Sequence, residues 1–497
     1  MSFVENFVPF SIIICLAGGI ICSAVNGKVA RRLTITLISI VCVMSGCVLS
    51  YTLKTERAFV YVMGKFPAPW GNELRAGSLE GLIALFFSVI MLLSVIGGMR
   101  GQDADIDEHR MNLYFIMINL MMSSLLALVY TNDLFTAYVF VEINTMAAAA
   151  LIMIRNNGHT MVAAAKYMIM SLLGSGLLLI GICILYTITG QLLMPNIKAE
   201  VAHLAATGEY AVPLTVVIGL LSVALAIKSA LYPFHSWLPE AYGYSTASSS
   251  AILSSLVSKG YIFLLIKIFY RVIGMDVMVD HKITNILFIF GIIGMIMGSV
   301  TAIRQTDVRH LIAYSSIAQI GYIYMGIGLG STAGMMAAVF HIMSHGATKS
   351  MLFIAQRGLV EVSSDSKDFT DLKGAAYRNK LAGVAFAVGA FSMVGIPLLA
   401  GFTSKVYFAE AAITAVRAKM WIAMITLAIS TILNAIYFIR ATISMYTPRN
   451  MEYKDDQYKP SKAAAVALVA FIALNFFLGI MSYPIATTIF DGLNIFG

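Results

Sequence analysis

Runs of about 20 apolar residues recur along the whole chain, and a helix of that length crosses the hydrocarbon core of a bilayer. They can be placed near 8–25, 33–53, 78–99, 112–130, 133–154, 164–188, 211–230, 250–270, 283–303, 308–329, 332–356, 381–412, 418–444 and 463–481, which predicts about fourteen helices. Inside lipid, only helices and closed barrels satisfy their own backbone groups. With 59% hydrophobic residues and 12% charged among 497, too few charges remain to cover a soluble surface. The chain therefore reads as an all-α polytopic membrane protein. The first apolar run lacks a basic leading region and a small-residue cleavage site, so it reads as a mature helix. Two stretches are expected to lie along the surface: 54–77, with its aromatics and Pro-Ala-Pro-Trp, and 194–210.

Several function classes drop out on residue grounds. The net charge of +8 comes from Lys and Arg spread over short loops, with no basic cluster interleaved with aromatics, so no nucleic-acid partner is expected. Cys15, Cys22, Cys42, Cys47 and Cys183 all fall in apolar segments and form no CxxC pair or ferredoxin-type run. They read as small buried hydrophobes, and no iron–sulfur cluster or other cofactor is expected in this chain. No nucleotide-binding glycine motif stands between a strand and a helix. With the amino terminus outside, the cytoplasmic loops carry roughly twice as many Lys and Arg as the outer ones, chiefly from Arg357 to Lys380 and from Arg440 to Lys462. An even helix number then puts both termini on the outer face of a prokaryotic-type cytoplasmic membrane.

That arrangement leaves Lys228, Lys259, Lys267, Lys349 and Lys405 inside apolar segments. A lysine near the bilayer centre costs roughly 2.5–3.5 kcal/mol on insertion scales, so each asks for water, a partner or a function. Lys267 is the weakest candidate, because it lies a turn from Arg271 and could snorkel to the interface. Among the acids only Glu142, in DLFTAYVFVEINTMAAAAL, sits well inside a helix; Asp133 starts that helix and reads as its cap. An isolated carboxylate in an apolar helix is driven to its neutral form, whereas a lysine partner keeps it charged. A Glu–Lys pair is the economical reading, and the residues leave open which lysine forms it.

In AAVFHIMSHGATKSMLF, His341, His345 and Lys349 fall at i, i+4 and i+8, on one helical face over roughly 12 Å. Three protonatable groups in file suit a proton relay, since each transfer needs a neighbour or one water within reach. Metal binding by the i, i+4 histidines and simple polar packing are the competing readings; no HExxH is present. Pro233 in SVALAIKSALYPFHSWLPEA breaks the helix just after Lys228, and Gly395, Pro397 and Gly401 break another just before Lys405. Interrupted helices are tolerated at membrane depth beside protein or water, and a pair of them points to inverted repeats.

Together these stretches resemble the antiporter-like proton-translocating subunits shared by respiratory complex I, membrane-bound hydrogenases and Mrp-type cation/proton antiporters. The resemblance rests on DLFTAYVFVE, Lys228 with YPFHSWLPEAY, SSLVSKGYIFLLIK, DVRHLIAYSSIAQIGYI, HIMSHGATKSMLF and GIPLLAGFTSK. It implies about fourteen helices with two broken ones and two inverted five-helix repeats at 111–275 and 281–445, flanked by helices at 1–110 and 446–497. It implies that Glu142 pairs with Lys228, and that Lys259, His341, His345 and Lys405 continue the path, with Lys349 in the histidine file. The chain ends soon after its fourteenth segment, like the shorter Mrp D-type members. The resemblance implies neighbouring membrane subunits in the bilayer and protons, with sodium as an alternative cation; a redox assembly would add peripheral iron–sulfur or nickel subunits. Three readings follow: a proton-translocating subunit of a redox-driven complex, a subunit of an Mrp-type sodium/proton antiporter, and a structural subunit that does not conduct. Costly buried charges disfavour the last. Hydroxyls at Ser254, Ser255 and Ser258 could line a sodium path or pack helices.

Overall fold

The computed structural model describes residues 3–66, 71–448 and 461–496. The Pro-Ala-Pro-Trp stretch at 67–70 and loop residues 449–460 lie outside the described residues. The long helices are α1 (Phe7–Ser23), α2 (Gly27–Thr55), α3 (Ser78–Gly97), α4 (Met111–Tyr130), α5 (Leu134–Met153), α6 (Gly158–Thr189) and α7 (Ala211–Ser229). They continue as α8 (Ala247–Ile273), α9 (Ile283–Ile303), α10 (Val308–Gly328), α11 (Thr332–Glu361), α12 (Lys380–Val394), α13 (Ala400–Ile413), α14 (Arg417–Tyr446), α15 (Lys462–Ile480) and α16 (Ser482–Phe496). Twelve helical stretches among the described residues are long and apolar enough to cross a membrane. The histidine-bearing α11 falls outside that set, and so do α12 and α13, the two halves of the broken 381–412 segment.

The helix boundaries follow local chemistry. Asp133 caps α5 by accepting the Thr136 N–H at 2.7 Å, and Asn157, Asp307 and Ser331 do the same for α6, α10 and α11. The two surface stretches are built differently from each other. At 54–77 the chain forms a small antiparallel hairpin, Phe59–Val62 against Glu73–Ala76, the one two-stranded sheet among the described residues. Helix Met194–Thr207 buries Met194, Ile197, Val201 and Leu204, the spacing of an amphipathic helix laid on the bundle.

Inside and outside are decided by position in the bundle rather than by hydrophobicity. Every residue in the most apolar window of α8 is buried, and α10 is nearly as enclosed, so these two helices run through the core. By contrast α14 turns Ile422, Ile425, Ile429, Ile432, Ile436 and Ile443 outward, a face suited to lipid. The cysteines divide the same way. Cys15 and Cys22 are buried, whereas Cys183 is exposed on α6, against the expectation of burial for all five; none is paired. Helices α9 and α10 meet backbone to backbone: a Cβ on Gly321 would stand 2.6 Å from both the Gly291 carbonyl oxygen and the Met295 nitrogen. Only a missing side chain permits that approach. Gly321→Ala is expected to push the pair apart at a cost of about 1–3 kcal/mol. A lowered thermal midpoint of the detergent-solubilised protein, read by size-exclusion after heating, is the outcome to look for; an unchanged midpoint would mean the crossing is slack.

Candidate functional site

Glu142 sits midway along α5, and Lys228 occupies the last turn of α7. The lysine Nζ lies 3.7 Å from Glu142 Oε1; the ammonium is wholly buried, whereas the Glu142 side chain is 26% exposed on the flank of the bundle. Ser175 of α6 donates a hydrogen bond to the same carboxylate oxygen. Lys228 also donates to Thr145 Oγ1 at 2.9 Å, and Thr145 shares a 3.3 Å hydrogen bond with the Tyr261 hydroxyl of α8. The ammonium stands 5.5 Å above the Tyr261 ring, a cation–π arrangement inside the bundle. Of the deep lysines, Lys228 is thus the partner of Glu142.

The helix break behind Lys228 is held shut by specific bonds. Ala230 takes a left-handed conformation, φ 63°, and the Leu231 N–H returns to the Ala226 carbonyl at 2.9 Å. Trp237 swings its indole N–H back to the Ile227 carbonyl at 3.3 Å, and the Tyr232–Pro233 peptide is cis. The chain resumes as the short helix Leu238–Tyr244. At the second break, Gly395 (φ 96°) ends α12; a Cβ there would lie 3.1 Å from Lys405 Cδ. Lys405, on α13, reaches back to the Val394 carbonyl at 2.7 Å and to Thr431 Oγ1 at 3.1 Å. The N–H groups opening α13 are met by Asn475 Oδ1 and Ser392 Oγ.

Between these breaks lie the other expected residues. Lys259 donates to the Ser254 carbonyl at 2.5 Å, just beyond a π-helical turn at Leu253–Val257. The His341 and His345 rings stack with centroids 5.9 Å apart and planes 5° from parallel. His341 Nδ1 bonds Ser404 Oγ at 3.0 Å, and the Tyr322 ring lies 5.6 Å from His341 while Lys405 Nζ sits 5.8 Å over that same ring. Lys349 is tied to α10, donating to the Ile312 carbonyl at 2.9 Å and to Ser315 Oγ. Lys259 and Lys349 are both electrostatic neighbours of His345 and His341, and Lys405 of His341. The structure thus brings the seven residues into two groups, Glu142 with Lys228 and, farther along the bundle, Lys259 and Lys349 with His341, His345 and Lys405.

Buried polar atoms are almost always hydrogen-bonded, and the histidine pair and its surroundings break that rule. His345 Nδ1 and Nε2, His341 Nε2, Ser344 Oγ, Gln319 Nε2 and the Asn144 amide have no protein partner among the described residues. Ser255 and Ser258, by contrast, bond Ser350 at 2.6 Å and Tyr242 at 2.8 Å, which ties α8 to α11 and to the short helix. Thr145, Ser175, Tyr261, Tyr322 and Ser404 went unmarked as site residues. Thr145 carried a signal, at i+3 from Glu142; the others sit on different helices, where spacing says nothing.

Lys267 corrects an expectation: it does not snorkel. It is buried and donates to the Leu128, Val129 and Thr131 carbonyls at 3.2, 2.5 and 2.8 Å, closing the C-terminal end of α4. The side chain is spent on a neighbouring helix end rather than on solvent.

Residues 131–433 match the family model described as NADH:quinone oxidoreductase/Mrp antiporter, TM. The NADH-quinone oxidoreductase subunit N of Desulforudis audaxviator is 31% identical over 406 residues, covering 81% of this chain and 78% of that protein. The D-type subunit of the Na(+)/H(+) antiporter of Bacillus subtilis is 24% identical over 482 residues, 96% of this chain and 94% of its own. Among solved structures, a chain of the membrane-bound sulfane sulfur reductase, an archaeal respiratory membrane complex, superposes with a TM-score of 0.89 at 21% identity, covering 99% of this chain and 97% of that one.

The geometry separates Lys267 from the rest. Lys267→Met is expected to cost about 1–3 kcal/mol by stranding carbonyls at the end of α4, which lowers the yield of folded protein. Ion transport per assembled molecule should stay at the wild-type level; transport lost from well-assembled protein would place Lys267 among the site residues.

Proposed function

The chain belongs to the family of antiporter-like transmembrane subunits that NADH:quinone oxidoreductase and Mrp antiporters share, and on that premise we propose that it is a proton-translocating subunit of a multisubunit, redox-driven membrane complex. The observation that carries proton translocation is the Lys228–Glu142 pair: a wholly buried ammonium at a helix break, 3.7 Å from a carboxylate that the flank of the bundle leaves partly open. Burial and the carboxylate act on the ammonium in opposite senses. Movement of Glu142 toward or away from Lys228 therefore changes its hold on a proton, at about 1.36 kcal/mol for each pKa unit.

From Lys228 the proton passes by way of Thr145 and Tyr261 to Lys259, on to His345 and His341, and out at Lys405. The unpartnered ring nitrogens support water as the bridge, since a buried polar site with free donors and acceptors is where ordered water resides. Lys349, held by the Ile312 carbonyl of α10, completes the histidine file as its third protonatable group. Each charge moved across the membrane works against about 2.3 kcal/mol per 100 mV. No electron-transfer chemistry is assigned to this chain; it belongs to partner subunits that carry iron–sulfur or nickel centres. The exposed edge of Glu142 supports membrane partners too, because a carboxylate facing lipid is costly until a neighbour covers it. Loop charge supports an orientation with both termini on the outer face of the cytoplasmic membrane.

The second reading is a subunit of an Mrp-type antiporter that exchanges sodium for protons without redox chemistry. Near end-to-end correspondence with the Bacillus subtilis antiporter protein favours it. Both readings use the same residues, so two experiments are needed. Lys228→Ala and Glu142→Ala are expected to cut proton movement in inverted membrane vesicles to below about a tenth, with assembly mostly intact; normal pumping by a well-assembled Lys228→Ala complex removes the central claim. Mild purification with mass spectrometry of bound subunits then separates the two assemblies. Partners with iron–sulfur, flavin or nickel sites support the redox machine, and small hydrophobic partners alone support the antiporter.

A further inference from the structure

The Asp307-Val308-Arg309-His310 run plays no part in the proton path, yet it is tightly built. Asp307 Oδ1 accepts the N–H groups of Arg309 at 2.6 Å and His310 at 3.1 Å, fixing the first turn of α10. Arg309, 2% exposed, donates from Nη1 to the Gly243 carbonyl at 3.4 Å and the Ser245 carbonyl at 2.9 Å. Those carbonyls lie at the C-terminal end of the short helix Leu238–Tyr244, just beyond the break. Its Nε reaches the Gln356 side-chain oxygen of α11 at 2.9 Å, with the amide turned to suit both neighbours.

Two other cations converge on the same helix end. Arg155 donates to the Tyr244 carbonyl at 3.1 Å, and Lys367 to the Gly243 carbonyl at 3.5 Å with its ammonium 5.9 Å over the Tyr244 ring. Positive charge suits a helix C-terminus, but crowding has a cost: burial, and then Arg309, pull the Lys367 ammonium down to about 8. Arg155 divides its donors between Tyr244 and Asp105, and Lys367 makes one long bond here. Arg309 alone spans two carbonyls of this end and ties them to α11.

The far end of α10 touches the other side of the break. Its Tyr324 hydroxyl shares a 2.7 Å hydrogen bond with Ser229, the residue after Lys228. Arg309 and Tyr324 are roughly 22 Å apart along the axis of one continuous helix. We propose that α10 is a strut that spans the break, holding the two halves of the segment at a fixed distance, with Arg309 as the positioning residue that keeps Lys228 in register with Glu142. The proposal rests on the reading of Lys228 as the proton-carrying group.

The test uses the whole assembly in native membranes with Arg309→Ala and Arg309→Lys, read by hydrogen exchange over 230–246 and by proton movement in vesicles. For Arg309→Ala, exchange in 230–246 is expected to rise about tenfold while α7 and α10 keep theirs. Proton movement is expected to fall about tenfold, as a misplaced reacting group requires. Arg309→Lys should recover part of both, since one ammonium can hold one of the two carbonyls. Unchanged exchange at 230–246, or faster exchange with undiminished transport, overturns the strut. If Arg309→Ala does not assemble, Arg309→Lys decides alone, with both effects expected near threefold. Lys228→Ala, run alongside, keeps the two ideas apart: normal transport there removes the proton-path reading, whereas loss of transport there with an unaffected Arg309→Ala protein removes the strut alone.

Discussion

An ammonium group at membrane depth must find oxygen, and where no water is at hand the oxygens come from backbone that a regular helix would have used. That constraint orders the structure. Lys405 takes the Val394 carbonyl released where α12 stops, Lys259 takes Ser254 beside a π turn, and Lys267 takes three carbonyls at the end of α4. Lys349 takes Ile312, a carbonyl near the start of α10. At Lys405, Lys259 and Lys267 the irregularity and the buried charge are therefore one feature seen twice, since the irregular backbone leaves acceptors and the lysine satisfies them; Lys349 instead shares a carbonyl inside a regular helix.

Lys228 stands apart from this pattern. It ends its helix without bonding the freed carbonyls, which go to Trp237 and to the turn itself, and its ammonium points across to Thr145 and Glu142. A lysine held by fixed carbonyls has little reason to change partners. One that faces a carboxylate on another helix feels every shift between the two helices, because the interaction of close charges in a poor dielectric is steep in distance. That difference suits Lys228 to switching and the carbonyl-bound lysines to a steadier role. The stacked histidines add a third type of environment, buried and short of hydrogen-bond partners, where water can enter.

Much of this was legible from residue order, and for stated reasons. Apolar length located the segments, because a bilayer imposes a length on any helix that crosses it. Rarity located the charges: a Glu at 142 and lysines at 228, 259, 349 and 405 are conspicuous in apolar helices. Prolines and glycines located the breaks. The hairpin at 59–76 was missed, since four-residue strands leave little pattern. Lys267 was misread, since periodicity cannot tell a route to the interface from a helix end close by.

The sequence by itself thus determined that the chain lies in a membrane, where its helices run, and which side chains are too costly to be idle. Tertiary structure decided that the pairing the resemblance implied is made, that Thr145 and Tyr261 lie against Lys228, and that Tyr322 stands between His341 and Lys405. It also decided that Arg309 grips the far half of a broken helix. The reason is physical. Hydrophobicity and helix-breaking are properties of a residue and its near neighbours, whereas partnership across helices depends on how the bundle brings together positions as distant as 142 and 228.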